Sequence, residues 1–248
     1  MKIVTWNVNG VRAREAQVLV WIAKHRPDVV CLQETKASPE QVPPSLREMS
    51  DYWCYWHGFK GYSGVALLVR KDHAIDAPRF EHPHFNMENR IVTAEINGVT
   101  VASVYLPNGG KDFKAKMNFI RSLTAFAESF ADARKPLIIA GDLNIAHAPI
   151  DVYPSQRREV IGQLPVERKA FDELLSHGLV DVGRAVAPDN DRLFTWWAPW
   201  RGMKEKNIGW RLDYFLTSRS LSRDVVGCTV DRGFGTSDHG PVVMQLET

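Results

Sequence analysis

The stretch Pro136-Leu-Ile-Ile-Ala-Gly-Asp-Leu-Asn-Ile-Ala-His147 is the segment from which the fold is most directly inferred. Leu137–Ala140 is an unbroken apolar run, which is typical of a strand buried on both faces. Gly141 ends the run, and Asp142 and Asn144 follow at once. An Asp/Asn turn after a strand would explain the same residues. Similar polar side chains at the ends of other predicted strands instead favour a cleft in which rigid strand ends hold functional groups.

The chain has the composition of an ordinary globular protein. Of its 248 residues, 44% are hydrophobic and 24% are charged, which supports a substantial core in one large domain or two small ones. The net charge of +2 does not indicate general nucleic-acid binding, although a local basic face is compatible with it. Cys31, Cys54 and Cys228 are odd in number and irregularly spaced, which argues against a disulfide framework and a zinc site.

No targeting segment or linker is evident in the sequence. The chain opens on the strand-like Lys2–Val4 instead of a signal peptide, and no apolar segment approaches the roughly 18 residues that span a membrane. We therefore expect a cytoplasmic protein. Because no Gly/Ser-rich stretch or change in composition divides the chain, we expect a single domain over residues 1–248.

Hydrophobic periodicity predicts alternating strands and helices. The dipeptide Asn97-Gly98 predicts a two-residue hairpin, so neighbouring strands are antiparallel and a purely parallel sheet is excluded. Residues 37–60 are rich in Pro and aromatic residues and are expected to be irregular. The predicted strands are Ile3–Trp6, Asp28–Gln33, Gly64–Arg70, Ile91–Ile96, Val99–Tyr105, Leu137–Ala140, Phe194–Trp197, Trp210–Leu216 and Pro241–Leu246. The predicted helices are Arg12–Arg26, one containing Met117–Phe130, and Pro165–His177, which ends at Gly178.

Polar residues at the predicted strand ends form the candidate site. They are Asn7, Glu34, Tyr105, Asp142, Asn144, Asp213, Asp238 and His239. Each alone has another explanation: Asn7 as a turn former, Glu34 as a surface residue, Asp213 as an ion-pair partner of Arg211. Together they are hard oxygen ligands with one histidine, the composition of a magnesium-dependent phosphoryl-transfer site. Because they come from both halves of the chain, we expect two facing sheets with the site at one edge.

Seven motifs, in order along the chain, resemble those of the exonuclease III family of class II apurinic/apyrimidinic (AP) endonucleases, within the endonuclease/exonuclease/phosphatase superfamily. The motifs are Trp6–Gly10 (WNVNG), Leu32–Lys36 (LQETK), Gly61–Ala66 (GYSGVA), Tyr105–Gly109 (YLPNG), Gly141–Asn144 (GDLN), Gly209–Tyr214 (GWRLDY) and Ser237–His239 (SDH). Gly209–Tyr214 and Leu164–Arg168 (LPVER) resemble the DNA-repair branch. The resemblance implies an α/β fold, a four-layer α/β-sandwich of two facing mixed, mainly antiparallel sheets with helices outside.

The resemblance also implies roles for the site residues. Glu34 and Asp238 would bind Mg2+, with Mn2+ as a substitute, and Asn7 would help to hold the metal site; Asp142 and Asn144 offer a second or alternate position. Asp142, aided by Asn144, would orient or deprotonate the attacking water. His239, paired with Asp213, and Tyr105 would contact the phosphate. The sequence leaves open which of Asp142, Tyr105 and His239 handles the proton.

The implied activity is hydrolysis of the phosphodiester 5′ to abasic sites in double-stranded DNA. We expect the enzyme to act as a monomer, without a membrane partner, on the nucleoid DNA of a prokaryote-like cell. The products are a 3′-hydroxyl and a 5′-deoxyribose phosphate, and blocked 3′ ends are further expected substrates. Asn108, Trp196, Trp210 and Leu212 would form the lesion pocket. The expected DNA contacts, with Trp200 as a wedge, are Lys111, Arg157, Arg158, Trp200, Arg201, Lys204 and Lys206.

Three alternatives stay open at this stage. Other branches of the superfamily act on phosphoinositides, sphingomyelin or RNA tails, and they share the catalytic set without the lesion pocket. A non-catalytic DNA-binding relative and an enzyme dominated by 3′-5′ exonuclease action are the others. The chain departs from some relatives at Asn9, Lys111 and Val160–Ile161, which affects the expected lesion range and product binding more than the chemistry.

Overall fold

The computed structural model describes residues 1–247, which form two six-stranded sheets. The strands are β1 (Lys2–Asn7), β2 (Val29–Gln33), β3 (Tyr52–Phe59), β4 (Tyr62–Arg70), β5 (Phe80–Glu81), β6 (Ile91–Ile96), β7 (Val99–Tyr105), β8 (Leu137–Asp142), β9 (Leu179–Asp181), β10 (Asp213–Ser218), β11 (Val225–Val230) and β12 (Val242–Leu246). The first sheet has the order β11-β12-β1-β2-β4-β3, and the second has the order β5-β6-β7-β8-β10-β9. The predicted fold class is confirmed.

The longer helices pack on the outer faces of the sheets. They are α1 (Glu15–His25), α2 (Pro44–Arg47), α3 (Phe113–Asp132), α4 (Pro165–Ser176), α5 (Val182–Val186), α6 (Met203–Lys206) and α7 (Arg219–Ser222). Asp112 begins α3 by accepting a hydrogen bond from the backbone N–H of Ala115 at 2.8 Å. Among residues 1–247, no helix is long and apolar enough to cross a membrane.

Three apolar layers hold the two sheets and the helices together. Alternate residues of both sheets, such as Cys31, Leu67 and Ile138, form the layer between the sheets. The outer face of the first sheet packs on α1, and the outer face of the second packs on α3 and α4. The central strands are therefore buried on both faces, which leaves their ends as the places where polar side chains reach solvent.

The topology brings two parallel strand pairs to one edge of the molecule. In the described residues, each sheet contains a single parallel pair, β1 with β2 and β7 with β8, among antiparallel neighbours. The helices α1 and α3 supply the crossovers that parallel pairing needs. Gly141 allows β8 to approach β7 closely, because an added Cβ would lie 1.9 Å from the carbonyl oxygen of Val104. Asn7, Glu34, Tyr105 and Asp142 consequently end at the same edge.

Several predicted element boundaries were wrong. Residues 52–59, expected to be irregular, form the edge strand β3, whose run of aromatic residues is only partly buried and lacks alternation. The strand predicted at Phe194–Trp197 is absent from the described residues; Trp196 instead makes isolated bridges to Trp210 and His239. The bridge to His239 consists of two backbone bonds, from Trp197 N–H to the carbonyl of Asp238 and from Gly240 N–H to that of Thr195, both at 2.9 Å, and no neighbouring pair extends it into a ladder. Strand β11, which is half-exposed and carries a bulge, was not predicted.

Candidate active site

Strand register places three candidate catalytic residues in a row. Tyr105 at the end of β7 lies level with Asp142 at the end of β8, and Asp142 lies level with Asp213 at the start of β10. These residues are far apart in sequence, yet neighbouring strands are only about 5 Å apart. All three side chains are buried in the second sheet. The sheet thus builds a rigid polar row from residues that the sequence separates.

The first sheet faces this row through Asn7. The side-chain Nδ2 of Asn7 donates to Glu34 Oε1 and to Asp142 Oδ2, both at 2.9 Å. Its Oδ1 accepts the backbone N–H of Asn9 at 3.0 Å. Asn7 therefore orients two carboxylates across the gap between the sheets. The prediction that Asn7 helps to hold a metal ion stays a prediction.

His239 completes the centre of the site. Its Nδ1 lies 2.8 Å from Asp213 Oδ2, and its Nε2 lies 3.8 Å from Asp142 Oδ2. Burial alone would lower the pKa of His239, but the charges of Asp213 and then Asp142 raise it to about 10. Since Asp213 accepts a hydrogen bond from Nδ1–H, the protonated ring directs Nε2–H toward Asp142 and the cleft. The partner of Arg211 is not Asp213, as one alternative supposed, but Asp151 and Asp181, at 2.8 and 2.6 Å.

Asp142 and Tyr105 differ in their protonation near neutral pH. Burial raises the pKa of Asp142 to about 7, against the lowering effect of His239. Asn144 holds this carboxylate through its backbone N–H, 3.0 Å from Asp142 Oδ1, and through its Nδ2, 3.2 Å from Oδ2. Burial, followed by the charges of Glu34 and Asp142, raises the pKa of Tyr105, so its phenol stays a donor. The site therefore offers one carboxylate that titrates near neutrality and two hydrogen-bond donors.

The candidate metal site lies around Glu34 and Asp238. The Nζ of Lys36 lies 2.7 Å from Glu34 Oε2 and 2.6 Å from Asn9 Oδ1, so a cation already occupies this oxygen-rich position. Burial would raise the pKa of Glu34, but the hydrogen bond from Asn7 and the contact with Lys36 lower it. Asn9 Nδ2 donates to Asp238 Oδ1 at 2.9 Å and links the two carboxylates. Ionised carboxylates with carbonyl-type oxygens are the donors that Mg2+ prefers, so these residues fit the ion.

A second group of possible ligands lies deeper. Asp142, Asp213 and His239 each offer one atom, and these atoms lie within 4.8 Å of one another. His239 already uses Nδ1 for Asp213, however, and Asn144 directs its Nδ2 to the carbonyl of Leu106 at 2.9 Å. This group is therefore better suited to hydrogen bonding than the Glu34–Asp238 side of the site.

The predicted lesion pocket divides into two places. Trp196 and Trp210 meet edge to face with centroids 5.5 Å apart, and Leu212 packs beside them. Trp196 Nε1 donates to Asp238 Oδ2 at 3.0 Å, which joins this apolar cluster to the candidate metal site. Asn108 does not line the cluster with these residues. It is exposed and lines a cavity of about 540 Å3 together with Tyr105.

The predicted DNA-contacting residues lie on loops around the site. Trp200 is 60% exposed, as a wedge requires. The exposed basic side chains are Lys111, Arg157, Arg158, Arg201 and Lys206. Lys204 was wrongly placed among them: its Nζ turns inward and donates to the carbonyls of Phe234 and Gly235 at 3.3 Å and of Ser237 at 3.0 Å. Carbonyl groups at the turn before Asp238 attract this ammonium more strongly than water does.

Sequence reasoning missed several side chains that hold the site. Lys36 lies two residues after Glu34 in the motif Leu32–Lys36, so the sequence itself indicated a basic side chain close to this carboxylate. Arg90 is buried with its guanidinium 4.7 Å from the Tyr105 ring, and it lies in no recognised motif. Thr195 Oγ1 accepts the backbone N–H groups of Leu212 and Asp213 at 2.9 and 3.0 Å. Only tertiary contacts identify these last two.

The chain matches known proteins over nearly its whole length. The profile of the endonuclease/exonuclease/phosphatase family matches residues 4–239. The chain belongs to this family. Within the family, it is 35% identical over 250 residues to the exodeoxyribonuclease of Bacillus subtilis, and the match covers 98% of each chain.

Solved structures of family members agree with the fold. The chain is similar to the 3′ phosphatase NExo from Neisseria bound to a product DNA hairpin, with a TM-score of 0.90, 33% identity and full coverage of both chains. It is also similar to an AP endonuclease from Archaeoglobus fulgidus, with a TM-score of 0.90, 28% identity and full coverage of both chains. The predicted relationship to exonuclease III-type nucleases and AP endonucleases, and the predicted enzyme class, are thereby confirmed.

Proposed function

We propose that this protein is a Mg2+-dependent DNA-repair nuclease that hydrolyses the phosphodiester 5′ to abasic sites in double-stranded DNA. The observation that carries the proposal is the continuous contact from Asp213 through His239 to Asp142, and through Asn7 to Glu34. This arrangement puts donors, a titratable carboxylate and metal-binding oxygens together at one edge of the two sheets. The names of the relatives given above, an exodeoxyribonuclease and an AP endonuclease, support a DNA substrate.

The reaction assigns a proton role to each buried group. A water held by Asp142 and Asn144 attacks phosphorus in line, and Asp142, whose pKa is raised by burial to about 7, accepts its proton. The bond from phosphorus to the 3′ oxygen breaks, that oxygen takes a proton from solvent to become the 3′-hydroxyl, and Asp142 then returns its proton to solvent. The phosphate stays on the deoxyribose as the 5′ product. His239 as imidazolium and Tyr105 as phenol donate to the phosphate oxygens that gain charge.

Glu34 and Asp238 are the residues that would hold Mg2+, with Mn2+ as a substitute, and Asn7 and Asn9 would hold those carboxylates in place. When bound, the ion supplies positive charge that neutralises the phosphate and the leaving oxygen. Lys36, which contacts Glu34, would have to yield part of this position to the ion. The Glu34 carboxylate is suited to this exchange because its side chain is 18% exposed.

The lesion pocket and the DNA face complete the proposal. Trp196, Trp210 and Leu212 would enclose the rotated abasic sugar, while Asn108 would act from the neighbouring cavity. Trp200 would wedge into the duplex, and the five exposed basic residues named above would contact phosphates. All these residues come from one chain, so a monomer acting as a single domain suffices. Blocked 3′ ends would enter the same cleft, and damaged bases or uracil are further candidate lesions.

A labelled duplex with one abasic-site analogue tests the proposal, beside an undamaged duplex, in Mg2+ or EDTA. We expect a single Mg2+-dependent nick just 5′ to the lesion, which is lost in Glu34→Gln. Degradation from the 3′ ends of both duplexes, or release of a 3′ phosphate without nicking, would reassign the enzyme to the exonuclease or phosphatase activity of its Neisseria relative. Cleavage of a phosphoinositide with neither duplex cut would refute the DNA-repair assignment.

A further inference from the structure

The Leu164–Arg168 motif contributes a buried charge just behind the site. Glu167, in the first turn of α4, forms an ion pair with Lys116 from α3, and both side chains are fully buried. Buried charges are costly unless they are paired and hydrogen-bonded, so a pair that lies between two helices needs an explanation. The residues that this pair contacts suggest one.

Lys116 binds the backbone of two candidate site residues. Its Nζ donates to the carbonyl oxygen of Asn144 at 2.7 Å and to that of Asn108 at 3.2 Å. Asn144 has a left-handed backbone, with a φ of 50°, which few non-glycine residues adopt. The ammonium that binds its carbonyl therefore helps to fix the residue whose N–H and side chain support Asp142.

Glu167 holds the loop on the other side of the site. Its Oε2 accepts the backbone N–H of Gly162 at 2.6 Å and that of Leu164 at 3.0 Å. The carbonyl oxygen of Gly162 in turn accepts a hydrogen bond from the backbone N–H of Ala146 at 2.7 Å. It also lies against the indole of Trp210, since an added Cβ would come within 3.0 Å of that ring.

We propose that Lys116 and Glu167 are positioning residues, a buried ion pair that clamps the loops 106–110, 142–146 and 160–164 into the arrangement that catalysis requires. The inference rests on the proposed nuclease function and deepens it, because the clamped loops carry Asn144 and Asn108 and support the Trp210 wall. Two apolar side chains could fill the same volume. They could not bind two carbonyls on one side and two backbone N–H groups on the other.

Two readouts separate positioning from simple stabilisation. The variants are Lys116→Met, which leaves Glu167 buried without its counter-charge, and the double variant Lys116→Met/Glu167→Gln, which removes both charges. Lys116→Met should lower the melting temperature by about 10 °C, and the double variant should recover most of that loss. We expect kcat for abasic-site nicking in the double variant to stay about 100-fold below wild type, with KM within about threefold.

Hydrogen exchange provides a readout that does not depend on activity. In the double variant, amide exchange should accelerate in segments 106–110, 142–146 and 160–164 and stay unchanged in strands of the first sheet. The matched control is Arg70→Met/Asp28→Asn, which removes a 2.6 Å salt bridge at the opposite end of β2 and β4 from Glu34. This control should change the melting temperature without changing kcat or exchange in those loops.

The outcomes are distinct. Slow nicking with loosened loops and a recovered melting temperature supports the clamp. Wild-type kcat and unchanged loop exchange in the double variant would overturn it. So would a control variant that loses as much kcat as the double variant for the same fall in melting temperature. If the wild-type protein cleaves no DNA, the proposed function fails, and loop exchange alone still decides for or against the clamp.

Discussion

Asp213→Asn is the most informative single substitution in the site. Asparagine matches aspartate in size, so the change removes a charge and leaves the packing intact. Asp213 accepts from His239 Nδ1 at 2.8 Å. Burial would lower the pKa of His239, and the Asp213 charge is the largest influence that raises it, to about 10. The substitution therefore tests whether the protonated ring is the form that works.

The magnitude follows from the charged fraction of the ring. Without the Asp213 charge, the pKa of His239 should fall from about 10 toward its ordinary value of 6.5. At pH 7.5 the imidazolium fraction then drops from nearly all molecules to about one in ten. If only the imidazolium form supports the reaction, this fraction lowers the rate at least about tenfold at pH 7.5.

Single-turnover nicking of a duplex with one abasic-site analogue, measured between pH 6 and 10, is the assay. The wild-type rate should rise as Asp142, with a pKa of about 7, loses its proton, and it should fall only near pH 10 as His239 loses its own. In Asp213→Asn the alkaline limb should move down toward neutral pH, which leaves a low, narrow maximum. The NMR shifts of the His239 ring should titrate with the same midpoint.

Asp172→Asn is the matched control. It removes another carboxylate that pairs with a histidine, His147, at 2.7 Å, but this pair lies at the surface and Asp172 is 69% exposed. Its rate and pH profile should equal those of wild type. If Asp213→Asn retains the alkaline limb and a rate within about threefold of wild type, the reasoning about His239 is wrong.

Two further predictions concern the metal site and the DNA face. Trp196→Phe keeps the aromatic wall but removes the N–H that bonds Asp238, so Mg2+ affinity measured by calorimetry should fall about tenfold. Trp197→Phe removes the indole hydrogen bond to Asn207 and none to Asp238, so it should leave the Mg2+ affinity unchanged. Arg201→Ala should reduce the slope of log affinity against log salt by about 0.9 for one lost phosphate contact. Lys204→Ala should lower the melting temperature and leave that slope unchanged, because its ammonium is turned inward.

The fold prediction used local sequence signals, and it was correct where those signals were strong. The Asn97-Gly98 hairpin connects β6 and β7 as predicted, and the helix Pro165–Ser176 ends before Gly178, which has a φ of 79°. Turn and cap residues act over a few positions, so sequence alone suffices for them. Strand β3 was missed because an edge strand is stabilised by its neighbour more than by its own pattern.

The site was predicted as a set of residues, without its contacts. Motifs at strand ends identified Asp142 and His239 as candidates. They did not show that Arg211 pairs with Asp151 and Asp181, or that Lys204 faces inward. Charged side chains choose partners by distance and burial, and neither quantity can be read from sequence spacing.

The sequence by itself determined which chemical groups are present and which strands deliver them: carboxylates, amides, a phenol and an imidazole after apolar runs that must be buried. Only the tertiary structure decided what those groups do to one another. Strand register sets Tyr105, Asp142 and Asp213 side by side, and the packing of the two sheets brings Asn7 across to Asp142. Electrostatic interactions are strong at short range in a buried site, so the protonation states of these groups are set only when the two sheets pack together.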